Sequence, residues 1–137
     1  MSNGRFITAA EAPKETVLDG GCHLAWYSGP HFTKAKDIAV VEAVFEPNAC
    51  HAFHKHPGQE ELIYVLNGEI EQWLEDKKQT LKAGDAIFIA PGVVHATYNR
   101  SKAPAKIMAI LGPCKAEKGI GTIDVFTEAP WNDLHKK

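Results

Sequence analysis

Apolar residues along this chain fall in short runs broken by turn-forming residues, and no extended window keeps a 3.6-residue period. The pattern predicts strands at 21–28, 37–45, 61–66, 70–75, 80–81, 86–90, 95–99, 105–111 and 122–126. Runs of this length and spacing belong to an all-β barrel or sandwich. The expected breakers lie between them: Gly29-Pro30, Pro47-Asn48, Pro57-Gly58, Asn67-Gly68, Asp76-Lys77, Ala83-Gly84-Asp85, Pro91-Gly92 and Gly112-Pro113. Asn67-Gly68 is the sharpest, because both residues tolerate the positive φ of a type I′ turn, and it predicts a hairpin between 61–66 and 70–75.

Within 37–46 the odd positions Ala39, Val41, Ala43 and Phe45 are apolar while Glu42 and Glu46 are even, so one face of this strand is buried. After Lys106 the run 105–111 is apolar at both parities, which predicts cover on both faces, from the N-terminal segment or from a second subunit. No repeat, low-complexity tract or linker divides residues 1–137, so one domain is expected. The stretch from Lys115 onward is the most polar, yet Ile123, Val125, Phe126 and Trp131 predict that it docks on the barrel.

A chain of 137 residues with 45% apolar and 23% charged residues has the makings of an ordinary globular core. Its formal charge of -2 is spread over both signs, with no clustered Lys and Arg to hold nucleic acid or an anionic membrane. A small-molecule ligand is the expected partner. Cys22, Cys50 and Cys114 are an odd number at unrelated spacings, which predicts no disulfide framework. No secretory leader or membrane span is expected from the hydropathy, and a cytoplasmic location follows as the simplest expectation.

Chemistry concentrates in His54-Lys55-His56, Glu61 and His95. Strand residues at i and i+2 share a face about 6.6 Å apart, so the two imidazoles of the first triplet can converge on one ion while Lys55 points away. Glu61 opens the next strand after the Pro57-Gly58 turn, and His95 opens another after Pro91-Gly92. Neutral imidazoles with one carboxylate suit divalent Mn, Fe, Ni, Co, Cu or Zn.

These residues resemble the cupin family. Residues 48–68, NACHAFHKHPGQEELIYVLNG, are similar to its first motif, and residues 84–99, GDAIFIAPGVVHATYN, to its second. The resemblance implies a double-stranded β-helix (a jelly-roll barrel), often paired as a homodimer. It gives His54, His56, Glu61 and His95 the four ligand roles around one divalent metal, with Mn, Fe, Ni and Zn the candidates. Two positions depart from the pattern. Asn48 stands where the first motif begins with Gly, a mild change because Asn tolerates the left-handed region, and Ala90 stands where the second has Pro.

Period-two alternation places Ile63 and Val65 on the face of Glu61, and the same reasoning offers Gln72 and Thr97 as pocket-lining residues. None supplies a fixed positive charge, which argues against a phosphorylated sugar. Four ligands on an octahedral ion would leave two positions for a bidentate substrate, or for substrate and dioxygen. The expected function is therefore a metal-dependent oxygenase of the dioxygenase type on a small oxygen-chelating substrate. Isomerase or lyase chemistry and a non-catalytic ligand-binding module are the alternatives. Cys50 and Asn99 are expected to be structural, Glu60 to be solvated, and Tyr64, Trp73 and Tyr98 to make core or dimer contacts. His23, His31 and His135 carry no assignment, and the parity of His51 turns it away from His54 and His56 unless a bulge intervenes.

Overall fold

The structure is a computed structural model that describes residues 3–135. Strands β1 (Lys14–Val17), β2 (Cys22–Ser28), β3 (Ala39–Phe45), β4 (Cys50–Lys55), β5 (Glu60–Asn67) and β6 (Glu69–Leu74) lead into β7 (Lys77–Lys82), β8 (Ala86–Ile89), β9 (His95–Tyr98), β10 (Ala105–Gly112) and β11 (Ile123–Asp124). The short helix α1 (Trp131–Leu134) follows. The strands form two antiparallel sheets, in the orders β1-β2-β3-β10-β5-β8 and β11-β4-β9-β6-β7. Among the described residues no helix is long and apolar enough to cross a membrane.

The odd positions of β3, β5 and β10 build the inner face of the first sheet. Ile107 lies opposite Ala43 on one side and Val65 on the other, and Ala109 opposite Val41 and Ile63. With Phe45, Ile70, Leu81 and Ile89 these side chains fill the space between the sheets. The even face of β10 is not covered: Ile110 is exposed and Met108 half-buried, so the N-terminal segment does not shield it as the pattern allowed.

Asn67-Gly68 does not make a hairpin. β5 belongs to the first sheet and β6 to the second, so the dipeptide carries the chain across the sandwich. Gly68 alone has a positive φ, +77°, and a Cβ there would meet the Pro104 carbonyl oxygen at 2.9 Å. A tight hairpin does form one step later, at β6–β7, with Leu74 paired to Lys77 and Glu75 taking φ +55° between them. Two strands escaped the sequence reading. β1 is short and polar, and β4 lies in a histidine-rich run without apolar alternation.

The C-terminal stretch docks as expected, since Val125, Phe126, Trp131 and Leu134 cover Phe53, Trp73 and Tyr98 on the outside of the second sheet. Tyr64, by contrast, is 40% exposed. Asn99 is structural: its amide donates to the Phe45 and Ala103 carbonyls. Asn48 adopts φ +70°, the left-handed conformation that a glycine would otherwise supply.

Candidate metal centre

β4 and β9 lie side by side with His54 directly opposite His95. Residues facing one another across an antiparallel pair project to the same side. His56 follows His54 by two residues, just past the end of β4, and shares its direction. Glu61 comes from β5 in the other sheet. All four side chains are buried, and the ligand atoms of the three histidines lie within 4.8 Å of one another. Glu61 Oε1 is 2.9 Å from His95 Nε2 and 3.3 Å from His56 Nε2.

The outward-facing nitrogen of each ring decides what the inward one can do. His54 Nδ1 is 2.7 Å from the Ala52 carbonyl oxygen, His56 Nδ1 3.0 Å from that of Gly121, and His95 Nδ1 2.9 Å from that of Val93. A carbonyl oxygen only accepts, so each Nδ1 must carry the proton, and each neutral ring then presents a bare Nε2 to the centre. This is the arrangement in which backbone carbonyls orient metal-ligating histidines. Glu61 Oε1 and His95 Nε2 are buried and neither has a hydrogen-bond partner, despite their 2.9 Å approach. Lone pairs facing one another in a dry site call for a shared proton or cation, and a divalent metal fits the donor set.

The titration shifts of these groups differ in sign. Burial, reinforced by its histidine neighbours, holds His54 well below the ordinary imidazole range. Burial also opposes charge on His56, but the Glu61 carboxylate outweighs it and raises that ring. Burial alone would push Glu61 up, yet the neighbouring imidazoles hold its carboxyl down to about 2. The centre therefore keeps an ionised carboxylate beside imidazoles, and either a proton on His56 or a bound cation balances it.

The site opens on a cavity of about 490 Å³ between the sheets. Its wall opposite the histidines is apolar, formed by Leu24, Trp26, Val41, Ala43, Phe45 and Ile107. No Lys or Arg lines it, and its formal charges are the carboxylates Glu61 and Asp124. Of the residues expected at the pocket, Ile63 and Thr97 line this cavity. Val65 instead lies fully buried in the core. Gln72 points inward but sits behind Thr97, whose hydroxyl donates to its carbonyl oxygen at 2.6 Å.

Three residues at the site went unassigned in the sequence. His51 reaches the cavity because β4 is bulged: His51 faces Thr97 and His54 faces His95, so two residues of β4 oppose one of β9. Its ring stacks on that of His54, with centroids 3.5 Å apart and planes 11° from parallel, and burial pushes it down to about 4. His135 lines the cavity from α1's C-terminal side and meets the Tyr98 hydroxyl at 3.1 Å. Gln59, 1% exposed, bonds the carbonyls of Pro113 and Gly119 and the N–H of Gly121, and so fixes the segment whose carbonyl orients His56. Its shared parity with Glu61 was the available signal.

A two-sheet jelly roll with a buried histidine cluster between strands defines the class of small β-barrel metal-site proteins. The chain belongs to the cupin family: the family model described as Cupin domain matches residues 41–111. An uncharacterized protein of Methanocaldococcus jannaschii, MJ1618, is 31% identical over 84 residues, covering 61% of this chain and 67% of that protein. The chain spans between 35% and 81% of the length of the curated relatives it matches. KdgF from Halomonas sp. shares the fold with TM-score 0.72 and 23% identity, over 83% of this chain and 97% of that one. The polyketide cyclase RemF from Streptomyces resistomycificus does so with TM-score 0.72 and 20% identity, over 96% of this chain and 92% of that one.

Proposed function

We propose that this cupin is a metal-dependent enzyme, an oxygenase of the dioxygenase type, acting on a small and largely apolar substrate that binds the metal through adjacent oxygens. The observation that carries the reading is the pairing of a bare-nitrogen histidine centre with a cavity whose opposite wall is apolar and which no Lys or Arg lines. His54, His56, His95 and Glu61 would hold the ion. When bound, it would supply Lewis acidity and a template for the substrate's oxygens. The chain's own part is to fix the ligand rings through backbone carbonyls, to exclude water with the Trp26, Val41 and Phe45 wall, and to select against anions, which meet no cationic side chain in the cavity.

A redox-neutral isomerisation or cyclisation of the same substrate class is the second reading. It is favoured by the fold shared with the polyketide cyclase RemF, since an apolar cavity of this volume fits an oxygen-bearing aromatic skeleton. Iron-, manganese- or nickel-loaded protein should take up oxygen while consuming a member of a panel of β-diketones, flavonols and catechols. Consumption without oxygen uptake favours the redox-neutral reaction. No consumption in any loaded form, with a panel member still raising the melting temperature, makes the protein a binding module.

We also propose that the protein works as a homodimer, formed through the outer face of the first sheet. The three free thiols suit a reducing, cytoplasmic setting.

A further inference from the structure

Outside the four candidate ligands, His51 is a polar side chain in direct contact with the centre, stacked on His54. Nothing in a regular strand would put it there. Alternation along β4 would send it out with Phe53, which packs on the far side of the sheet against Trp73 and Trp131. The bulge between His51 and His54 cancels that alternation and sets His51 opposite Thr97, on the cavity side. Bulges cost ladder hydrogen bonds and serve to re-aim a side chain. The re-aimed ring lies flat on His54, so its position is fixed relative to a candidate ligand. Among the described residues neither of its nitrogens has a hydrogen-bond partner, unlike His54, His56 and His95, whose Nδ1 atoms are all committed to backbone carbonyls. Thr97 beside it is already engaged with Gln72.

We propose that His51 is a substrate-binding residue, the second point of a two-point clamp whose first point is the metal. An oxygen-chelating ligand anchored at the centre extends past the face of His54, and the imidazole edge of His51 hydrogen-bonds the ligand's next oxygen. This sets the ligand's rotation about the metal and selects for molecules with a third oxygen near the chelating pair. Most of the remaining wall is apolar, its other polar members being Thr97, Thr122, Asp124 and His135. The inference rests on the metal-site reading above, and it assigns His51 no role in holding the ion.

The test uses purified full-length protein loaded with one equivalent of a divalent metal, and 3,5-dihydroxyflavone as a fluorescent probe. Its 3-hydroxyl and 4-carbonyl form the chelating pair and its 5-hydroxyl the third oxygen. 3-Hydroxyflavone is the control lacking that oxygen. His51→Phe keeps a flat ring on His54 but removes both nitrogens, and His51→Gln restores a hydrogen-bonding group. The expected result is wild-type metal content in both variants, with binding of the dihydroxy probe weakened about tenfold or more in His51→Phe and largely recovered in His51→Gln. Binding of 3-hydroxyflavone should be unchanged throughout. If His51→Phe binds both probes as the wild type does, the clamp is overturned while the metal site stands. If His51→Phe and His51→Gln both lose metal, His51 supports His54 instead and the proposal fails. If the loaded wild type binds neither probe, the reading of the cavity as a chelator's site falls, and the clamp falls with it.

Discussion

Each candidate ligand owes its role to what holds the other side of its ring. His54, His56 and His95 all spend Nδ1 on a main-chain carbonyl, and this turns three ordinary imidazoles into three converging lone pairs. Losing one ring removes a donor and leaves Glu61, itself only 5% exposed, with fewer neighbours. His54→Ala or His95→Ala should therefore lower bound metal at least tenfold, measured by elemental analysis of protein purified without added metal. His135→Ala should leave metal content at the wild-type level, because that ring engages Tyr98 at the cavity wall and lies outside the histidine cluster. At this scale the sequence was highly legible. Period-two geometry brings His54 and His56 together without knowledge of any other strand, and a turn followed by a strand is enough to deliver His95. His51 was not legible, because no residue in His51-Ala52-Phe53 marks the bulge that re-aims it.

Element by element, legibility followed how local the determining contacts are. The alternation in β3 exposed its buried face at once, and all four predicted inward residues are at most 5% exposed. Asn67-Gly68 misled because a turn dipeptide reports local backbone freedom, whereas the choice between pairing back and crossing to the opposite sheet is made by distant partners, β10 and β8 for β5 and β9 and β7 for β6. What Gly68 does supply is passage. Its φ of +77° and the 2.9 Å gap to the Pro104 oxygen leave no room for a side chain. Gly68→Ala should cost about 1–3 kcal/mol in chemical denaturation, whereas Gly84→Ala, with no atom near its Cβ position, carries only the strain of its φ of +96°. Equal losses for the two variants would mean that the close approach at Pro104 contributes nothing.

At the scale of the whole molecule the candidate centre joins the sheets, since His54 and His95 lie in one, with His56 just past its strand β4, and Glu61 lies in the other. An ion shared by both binds only the folded arrangement and stabilises it by linkage, about 2.7 kcal/mol at a free concentration a hundred times the dissociation constant. Chelator treatment of metal-loaded protein should lower its melting temperature, and re-addition of metal should restore it. The same two-sheet construction leaves a problem on the outside. Register places Val40, Ile110, Leu62 and Phe88 in one row across β3, β10, β5 and β8, with Met108 and Tyr64 in the next. Leu62, Tyr64, Leu66, Phe88 and Ile110 are between 37% and 56% exposed. A contiguous apolar surface of this kind is uncommon on a protein that stays single. The face also carries both signs of charge in the Lys106–Glu42 pair, so a two-fold related copy can match it. The proposed homodimer buries this surface and explains why β10 is apolar at both parities. Sedimentation of the wild type should give a dimer, and Leu62→Glu with Phe88→Glu should give a folded monomer that still binds one metal per chain, because neither side chain points toward the centre. A wild type that sediments as a monomer at tens of micromolar would leave the second face of β10 without its cover and the homodimer without support.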